Sequence, residues 1–329
     1  MKWIVALCLL IFPCSAYASA AGDWTEVYRA LRDSYISEVK VSALSVAALR
    51  GISQVDPYLR LGDDDTRLSL YYRGKVVKVK NKPKELESPE QWGEITAQIL
   101  EAARQASATA DEKDFLLDEA LARSMTKLLD KDSKYYAGYD EAEGLEHRNH
   151  RTFAARMRRD DLYVRIIAFN KQTYHNLTEA LKEYAAARKL ILDLRGCAGG
   201  QASSAIQTAD LFLNEGIIAS SVGREHWKQT YYTADAAEVW TGKDIEIWVD
   251  GQTASAAEIL TAALKEQGRA VVKGEKTFGK GTLQKLIPLP SGGVLALTSG
   301  VVQTPSGGVF NAQGITPDFP LDEEDLAED

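Results

Sequence analysis

The sequence predicts an α/β layered domain preceded by a mainly helical region, and three observations lead there. From Asp160 onward, short apolar strands alternate with helical stretches. Before that point apolar residues recur at spacings near three and four, as in Val27, Leu31, Ile36, Val39 and Leu44. The 329 residues, 45% of them hydrophobic, suffice for one large core or two ordinary ones.

The helical region is expected from Trp24 to about Ser53, where Asp56-Pro57 breaks it. Arg67–Tyr72 and Lys75–Lys80, joined at Arg73-Gly74, read as a short β-hairpin. Ser88-Pro89-Glu90-Gln91 carries an N-cap serine, a proline at the first helical position and a glutamine three after the serine, so a helix starts there and runs to about Gln105. A further helix is expected from Asp111 to Leu129. In the second half the expected strands are Leu162–Phe169, Lys189–Leu194, Ile245–Val249, Arg269–Val272, Leu283–Leu289 and Val294–Gln303. Helices are expected over 173–188, 202–214 and 255–267, the last stopped by Gly268. The implied organisation is a helical region over 21–150, a second domain over 151–320 and an acidic, solvated tail over 321–329.

Charge and composition exclude several classes. The 39 basic and 47 acidic residues give −8, which disfavours a nucleic-acid binder. Three cysteines make no disulfide framework, and four histidines (His147, His150, His175, His226) give no HExxH or zinc spacing. No metal or organic cofactor is expected.

Residues 1–20 read as an export signal: Met1-Lys2, an apolar run Trp3–Phe12, and Ala16-Tyr-Ala-Ser-Ala20 with cleavage expected after Ala20. The apolar run is shorter than the ~20 residues of a membrane span. Its removal takes Lys2, Cys8 and Cys14, leaving −9 and Cys197 as the remaining thiol. The expected location is periplasmic or otherwise extracytoplasmic, with membrane association if the signal is kept.

The chemistry-bearing residues lie between Gly251 and Gln284. Thr253-Ala-Ser-Ala-Ala-Glu258 puts a serine at a helix start directly after a strand. Taken alone, Ser255 and Glu258 make a capping box. The same position also places a hydroxyl in the positive potential of a helix N-terminus, with the amide of Ala256 aimed at any carbonyl under attack. A serine nucleophile needs a base, and Lys280 in Gly274-Glu-Lys-Thr-Phe-Gly-Lys-Gly281 is the candidate. A lysine serves as base only where an apolar, desolvated setting lowers its proton affinity, for which Phe278 and the glycines are candidates. Alone, this segment also reads as a surface turn. It matches G-x-x-x-x-G-K, but Gly281 stands where a phosphate loop needs Ser or Thr, and a strand follows, so no nucleotide is expected.

Four motifs in order, Leu192-Asp-Leu-Arg-Gly-Cys-Ala-Gly-Gly200, Thr253–Glu258, Thr277-Phe-Gly-Lys-Gly281 with Gln284, and Thr304-Pro-Ser-Gly307 with Gly314-Ile-Thr-Pro-Asp318, resemble the carboxyl-terminal processing (tail-specific) proteases. These are serine endopeptidases with a Ser–Lys pair, the lysine 25 positions after the serine and a glutamine four beyond it, as Ser255, Lys280 and Gln284 stand here. The resemblance implies a crotonase-like catalytic core. It implies that Lys280 takes the Ser255 proton, that Gln284 orients Lys280, and that an oxyanion sits between the amide of Ala256 and one in the loop at Gly199 or Gly200. Polypeptide substrates follow from it.

Three departures stand out. Cys197-Ala198 replaces the Asn-Pro usual before the paired glycines, and Cys197 reads as a small buried filler. Ala257 stands where a second serine is common. Fewer than thirty residues separate Leu129–Tyr135 from the strand near Leu162, too few for the PDZ module of ~90 residues that many members insert there. That interval holds a basic stretch with Arg156, Arg158 and Arg159, which reads either as a solvated face or as a patch for a substrate carboxylate. The sequence therefore predicts an exported serine endopeptidase for unfolded or tail-exposed polypeptides. The alternatives are a non-catalytic adaptor that binds polypeptide, and a latent protease switched on by a partner.

Overall fold

Ser88 begins the longest helix as its sequence requires. Its backbone is extended (φ −78°, ψ 113°) and its Oγ accepts the N–H of Gln91 at 3.3 Å, with Pro89 at the first helical position. This helix, α3 (Pro89–Ala106), is the centre of the first of two compact units. The computed structural model describes residues 24–138, 142, 152–225, 228–235, 238–290 and 292–322. The expected export signal, both His147 and His150, and the acidic residues from 323 on lie outside that set.

The first unit takes the residues up to Ser34, Glu38–Tyr139 and Leu286–Leu297. Here α1 (Trp24–Ser34) packs on α3, and α2 (Val41–Arg50) packs on α5 (Phe115–Thr126). Their apolar stripes bury Val27, Leu31, Leu44, Leu49, Ile99 and Leu121. Polar groups inside are matched: Trp24 Nε1 donates to Asp118 Oδ1 at 2.7 Å, and the Tyr28 and Thr96 hydroxyls lie 2.9 Å apart. The helix expected over 111–129 is two pieces, since α4 (Ala108–Glu112) ends at Lys113 (φ −109°, ψ 31°) before α5 begins. The expected hairpin is an antiparallel three-stranded sheet, β1 (Leu59–Asp63), β2 (Arg67–Tyr72) and β3 (Lys75–Asn81), in the order β1-β2-β3. A short strand β4 (Lys134–Tyr136) pairs with Val294–Ala296.

The second unit takes Tyr35–Ser37, Asp140–Lys285 and the residues from Thr298. The division is thus not the linear one expected at 150/151, because 286–297 group with the first unit. A five-stranded sheet runs β11 (Val271–Gly274), β10 (Asp244–Val249), β7 (Lys189–Asp193), β6 (Asp161–Ile166) and β5 (Phe153–Arg158). The first four are parallel; β5 is antiparallel. Strand alternation gives the sheet two unlike faces. Leu162, Val164, Leu190, Leu192, Ile245 and Ile247 join the core cluster with residues of α6 (Thr173–Glu183), α7 (Ala202–Asp210) and α8 (Ala256–Glu266). Tyr163, Ile191 and Trp248 form a smaller cluster on the other face, with Leu321 packed against it. The remaining strands of this unit are β8 (Ile217–Gly223), β9 (Gln229–Thr233), and parts of β12 (Thr282–Pro288) and β13 (Val294–Gln303). Among the described residues no helix is long and apolar enough to cross a membrane.

Candidate active site

Parallel strands present their loops at their C-terminal ends, and the two informative motifs follow β7 and β10, which are neighbours. After β10 the chain turns on Asp250, whose Oδ1 accepts the N–H groups of Gln252 and Thr253, both at 2.9 Å, and the N–H of Gly196 at 3.0 Å. Thr253, fully buried, donates from Oγ1 to Leu194 O at 2.9 Å, and Ala254 N–H donates to Cys197 O at 2.9 Å. These bonds lace the serine turn to the glycine loop.

Ser255 comes next, with φ 57° and ψ −116°. Ordinary caps such as Ser88 are extended, so Ser255 does more than end a helix. For a residue with a side chain this conformation costs about 1–3 kcal/mol, a cost that clusters at functional turns. It directs a half-buried serine out of a sharp strand-to-helix turn. Ala256, first residue of α8, is fully buried, and a helix's first N–H groups have no acceptor within the helix.

Glu258 ties this turn to the Lys280 segment. Its carboxylate is fully buried and accepts four bonds. Oε2 takes the N–H of Ser255 and the N–H of Lys280, both at 2.8 Å. Oε1 takes the Thr277 hydroxyl at 2.6 Å and the N–H of Gly279 at 2.7 Å. One carboxylate therefore stands between the backbones of the two predicted catalytic residues. A buried charge is tolerable when fully hydrogen-bonded, and the N-terminal turn of α8 favours a negative group. The sequence reading saw in Glu258 only the second half of a capping box; the bonds to 277–280 come from tertiary structure that local spacing does not reveal.

Further bonds fix the lysine segment. Phe278 N–H donates to Thr253 O at 3.0 Å, Gly281 N–H to Asn311 Oδ1 at 3.1 Å, and Ala312 N–H to Gly279 O at 2.8 Å. Ile315 N–H donates to Thr277 Oγ1 at 2.6 Å, so the Gly314–Asp318 motif supports this loop. Phe278, a candidate for desolvating Lys280, is instead 59% exposed; the bond to Thr253 fixes its backbone, and the ring lies outside. Gln284 donates from Nε2 to Thr282 Oγ1 at 3.0 Å, rather than to Lys280.

The glycine loop meets the serine directly. Gly199 has φ 104°, and a Cβ there would lie 2.7 Å from Ser255 Cβ and 3.0 Å from Ala256 N, so a side chain is excluded. Gly200 lies alongside Phe169, with Phe169 N–H donating to Gly199 O at 2.8 Å. The base of the loop is held by Asp193, fully buried, which accepts from Tyr163 OH at 2.6 Å and Arg195 Nη2 at 2.7 Å. Burial opposes ionisation of Asp193, yet the Arg195 and Tyr163 bonds hold its carboxyl below the ordinary range. Cys197 is fully buried, as expected of a filler, and burial pushes its thiol up to about 12 while a bond from the Gly199 N–H pulls the other way. It is a neutral thiol at physiological pH, not a second nucleophile. The three arginines lie elsewhere: Arg156 stacks on the Tyr163 ring (5.0 Å) and Arg158 on Trp248 (5.1 Å), while Arg159 occupies the turn after β5. Among the described residues no His/Cys/Asp/Glu cluster could hold a metal.

Against known proteins, the family model of peptidase family S41 matches residues 161–321. That stretch belongs to peptidase family S41. A carboxy-terminal-processing protease of Bartonella bacilliformis is 36% identical over 167 residues, 49% of this chain and 38% of that protein. A C-terminal processing peptidase, chloroplastic, of Tetradesmus obliquus is 34% identical over 172 residues, 51% of this chain and 36% of that protein. The matched stretches thus span less than half the length of these curated relatives. A photosystem II D1 C-terminal processing protease shares the fold with a TM-score of 0.53 at 18% identity, covering 91% of this chain and 92% of that one. A lipoprotein from Streptococcus agalactiae does so with 0.55 at 18% identity, covering 89% and 96%. The S41 domain holds all four motifs, and Ser255, Lys280 and Gln284 fall inside it.

Three outcomes follow from this geometry. Glu258→Gln turns an amide NH2 towards two N–H or O–H donors and should cost about 3 kcal/mol in urea unfolding; an unchanged midpoint would contradict the role given to the carboxylate. Ser255→Gly removes the backbone strain and should raise stability by about 1 kcal/mol relative to Ser255→Ala, read by the same unfolding curves. Iodoacetamide at pH 8 should leave Cys197 unmodified in the folded chain and label it after unfolding, as followed by peptide mass spectrometry.

Proposed function

We propose that the chain is a serine endopeptidase in which Ser255 is the nucleophile and Lys280 the general base. The observation that carries this reading is the strained Ser255 turn tied through Glu258 to the backbone of Lys280, inside an S41 domain. Ser255 Oγ attacks the scissile carbonyl as Lys280 takes its proton. The tetrahedral oxyanion is stabilised by the N–H of Ala256 and that of Gly199, whose Cα lies against Ser255. Lys280 then returns the proton to the leaving amine, and water releases the acyl group by the same route. Gln284 acts one step removed, through Thr282. The substrates are unfolded or tail-exposed polypeptides, and no PDZ module gates them between β4 and β5. The chain works outside the cytoplasm, delivered by residues 1–20.

A latent form is the second reading, and one observation favours it. The Gly199 N–H is engaged by the Cys197 sulfur, so a substrate oxygen must displace that bond before two donors are available. In a latent enzyme a partner protein would drive this change.

The test is cleavage of casein by purified protein. Ser255→Ala and Lys280→Ala should each reduce turnover by at least ~1000-fold while leaving the unfolding transition in place. Cutting that survives in either variant would sink the Ser–Lys assignment. Cutting that appears only when a native partner is added would select the latent form.

A further inference from the structure

The three-stranded sheet of the first unit carries a surface unlike the rest of the chain. Its outermost strand is β3. From Arg73 to Lys84 there are six cations (Arg73, Lys75, Lys78, Lys80, Lys82, Lys84) and no acid, within a chain of net charge −8. Lys82 pairs with Asp63 at 2.6 Å. Among the described residues, Lys75, Lys78, Lys80 and Lys84 have no ion-pair partner. Interleaved with them are Val76, Val77 and Val79, exposed by 54%, 40% and 46%. Near the turn, Arg73 lies over the rings of Tyr58 (5.2 Å) and Tyr72 (5.3 Å), and Tyr58 is itself 60% exposed.

Lysines on an edge strand usually keep it from pairing with other chains. That accounts for the cations and leaves the valines unexplained, because a protective edge has no use for exposed apolar residues beside it. The register locates those valines. Leu68 and Leu70 are fully buried, whereas Val76 pairs with Tyr71 and Val79 with Ser69, so these four share the opposite face of the sheet. The apolar patch is on a face and at a tip, not along the strand edge. A peptide added as a fourth strand would bond the edge and leave that face uncovered. A planar surface covers face and tip together.

We propose that this hairpin docks on an anionic lipid bilayer, its lysines on the phosphate headgroups and Tyr58, Val76 and Val77 at the headgroup–acyl boundary. Cations with aliphatic stems and tyrosine rings are the side chains suited to that boundary. The occupant follows from charge: the hairpin is locally cationic on an acidic chain, so an anionic surface attracts this face and repels the rest. The proposal rests on the first unit and does not depend on the protease reading.

Hydrogen exchange of the full chain, with and without vesicles, tests it locally, so any binding through residues 1–20 does not mask the result. Vesicles containing about one-third phosphatidylglycerol should slow exchange over residues 72–80, and pure phosphatidylcholine vesicles should not. The triple variant Lys75→Glu, Lys78→Glu, Lys80→Glu should weaken that protection by about 100-fold or more in lipid concentration. Val76→Asn with Val77→Asn should weaken it while keeping its dependence on salt. Equal protection by neutral vesicles, or unchanged protection in the charge-reversed variant, would overturn the proposal. So would protection by an extended poly-glutamate peptide with none by vesicles, which would assign the hairpin to strand addition.

Discussion

The buried carboxylate of Glu258 is the interaction on which the rest of the candidate site depends. Four donors from two distant segments converge on it, and none is a cation: two backbone N–H groups at 279 and 280, one at 255, and the Thr277 hydroxyl. A carboxylate has room for about four such donors, so Glu258 is fully used. Its position in the first turn of α8 also fixes where that helix begins. Helix start, serine turn and lysine loop are therefore one unit, and a displacement of any of them is felt by the other two.

Around that unit the second domain divides its labour by sheet face. The helix-covered face is aliphatic and supplies cohesion through Leu190, Leu192, Ile245 and Ile247. The opposite face is built from rings and charges: Tyr163 and Trp248 carry stacked arginines, and Asp193 and Glu246 are buried with cationic partners. Burial works against ionising Glu246, but bonds from Trp248, Lys189 and Lys273 hold it below the usual carboxylate range. Asp193 is the link between this face and the glycine loop, through Arg195.

Much of this architecture was legible because the residues concerned obey local rules. Ser88-Pro89 announced α3, and the apolar runs Lys189–Asp193 and Asp244–Val249 announced two parallel strands. The strands that escaped notice have exposed or weak patterns. β5 reads Phe-Ala-Ala-Arg-Met-Arg and alternates only partly, and β9 is half-exposed along its length. The motifs placed Ser255, Lys280 and the paired glycines, because family spacing is written in sequence. What the sequence withheld were the contacts that join segments far apart: Glu258 with 277–280, Gly199 against Ser255, and Arg158 on Trp248. Such contacts depend on which loops the sheet brings together, and no local window contains that information.

The loop bearing Lys280 is held by residues that follow it by thirty or more positions. Asn311 receives Gly281, Ala312 reaches Gly279, and Ile315 reaches Thr277. Phe319 O receives the N–H of Gly274 at the end of β11. During synthesis, then, the serine turn and the lysine loop can both exist on the emerging chain while their alignment still lacks its outer brace. The site closes only when the stretch around 311–319 has emerged and packed. Assembly of the centre is thereby timed to the end of translation, which shields the nascent polypeptide from its own activity.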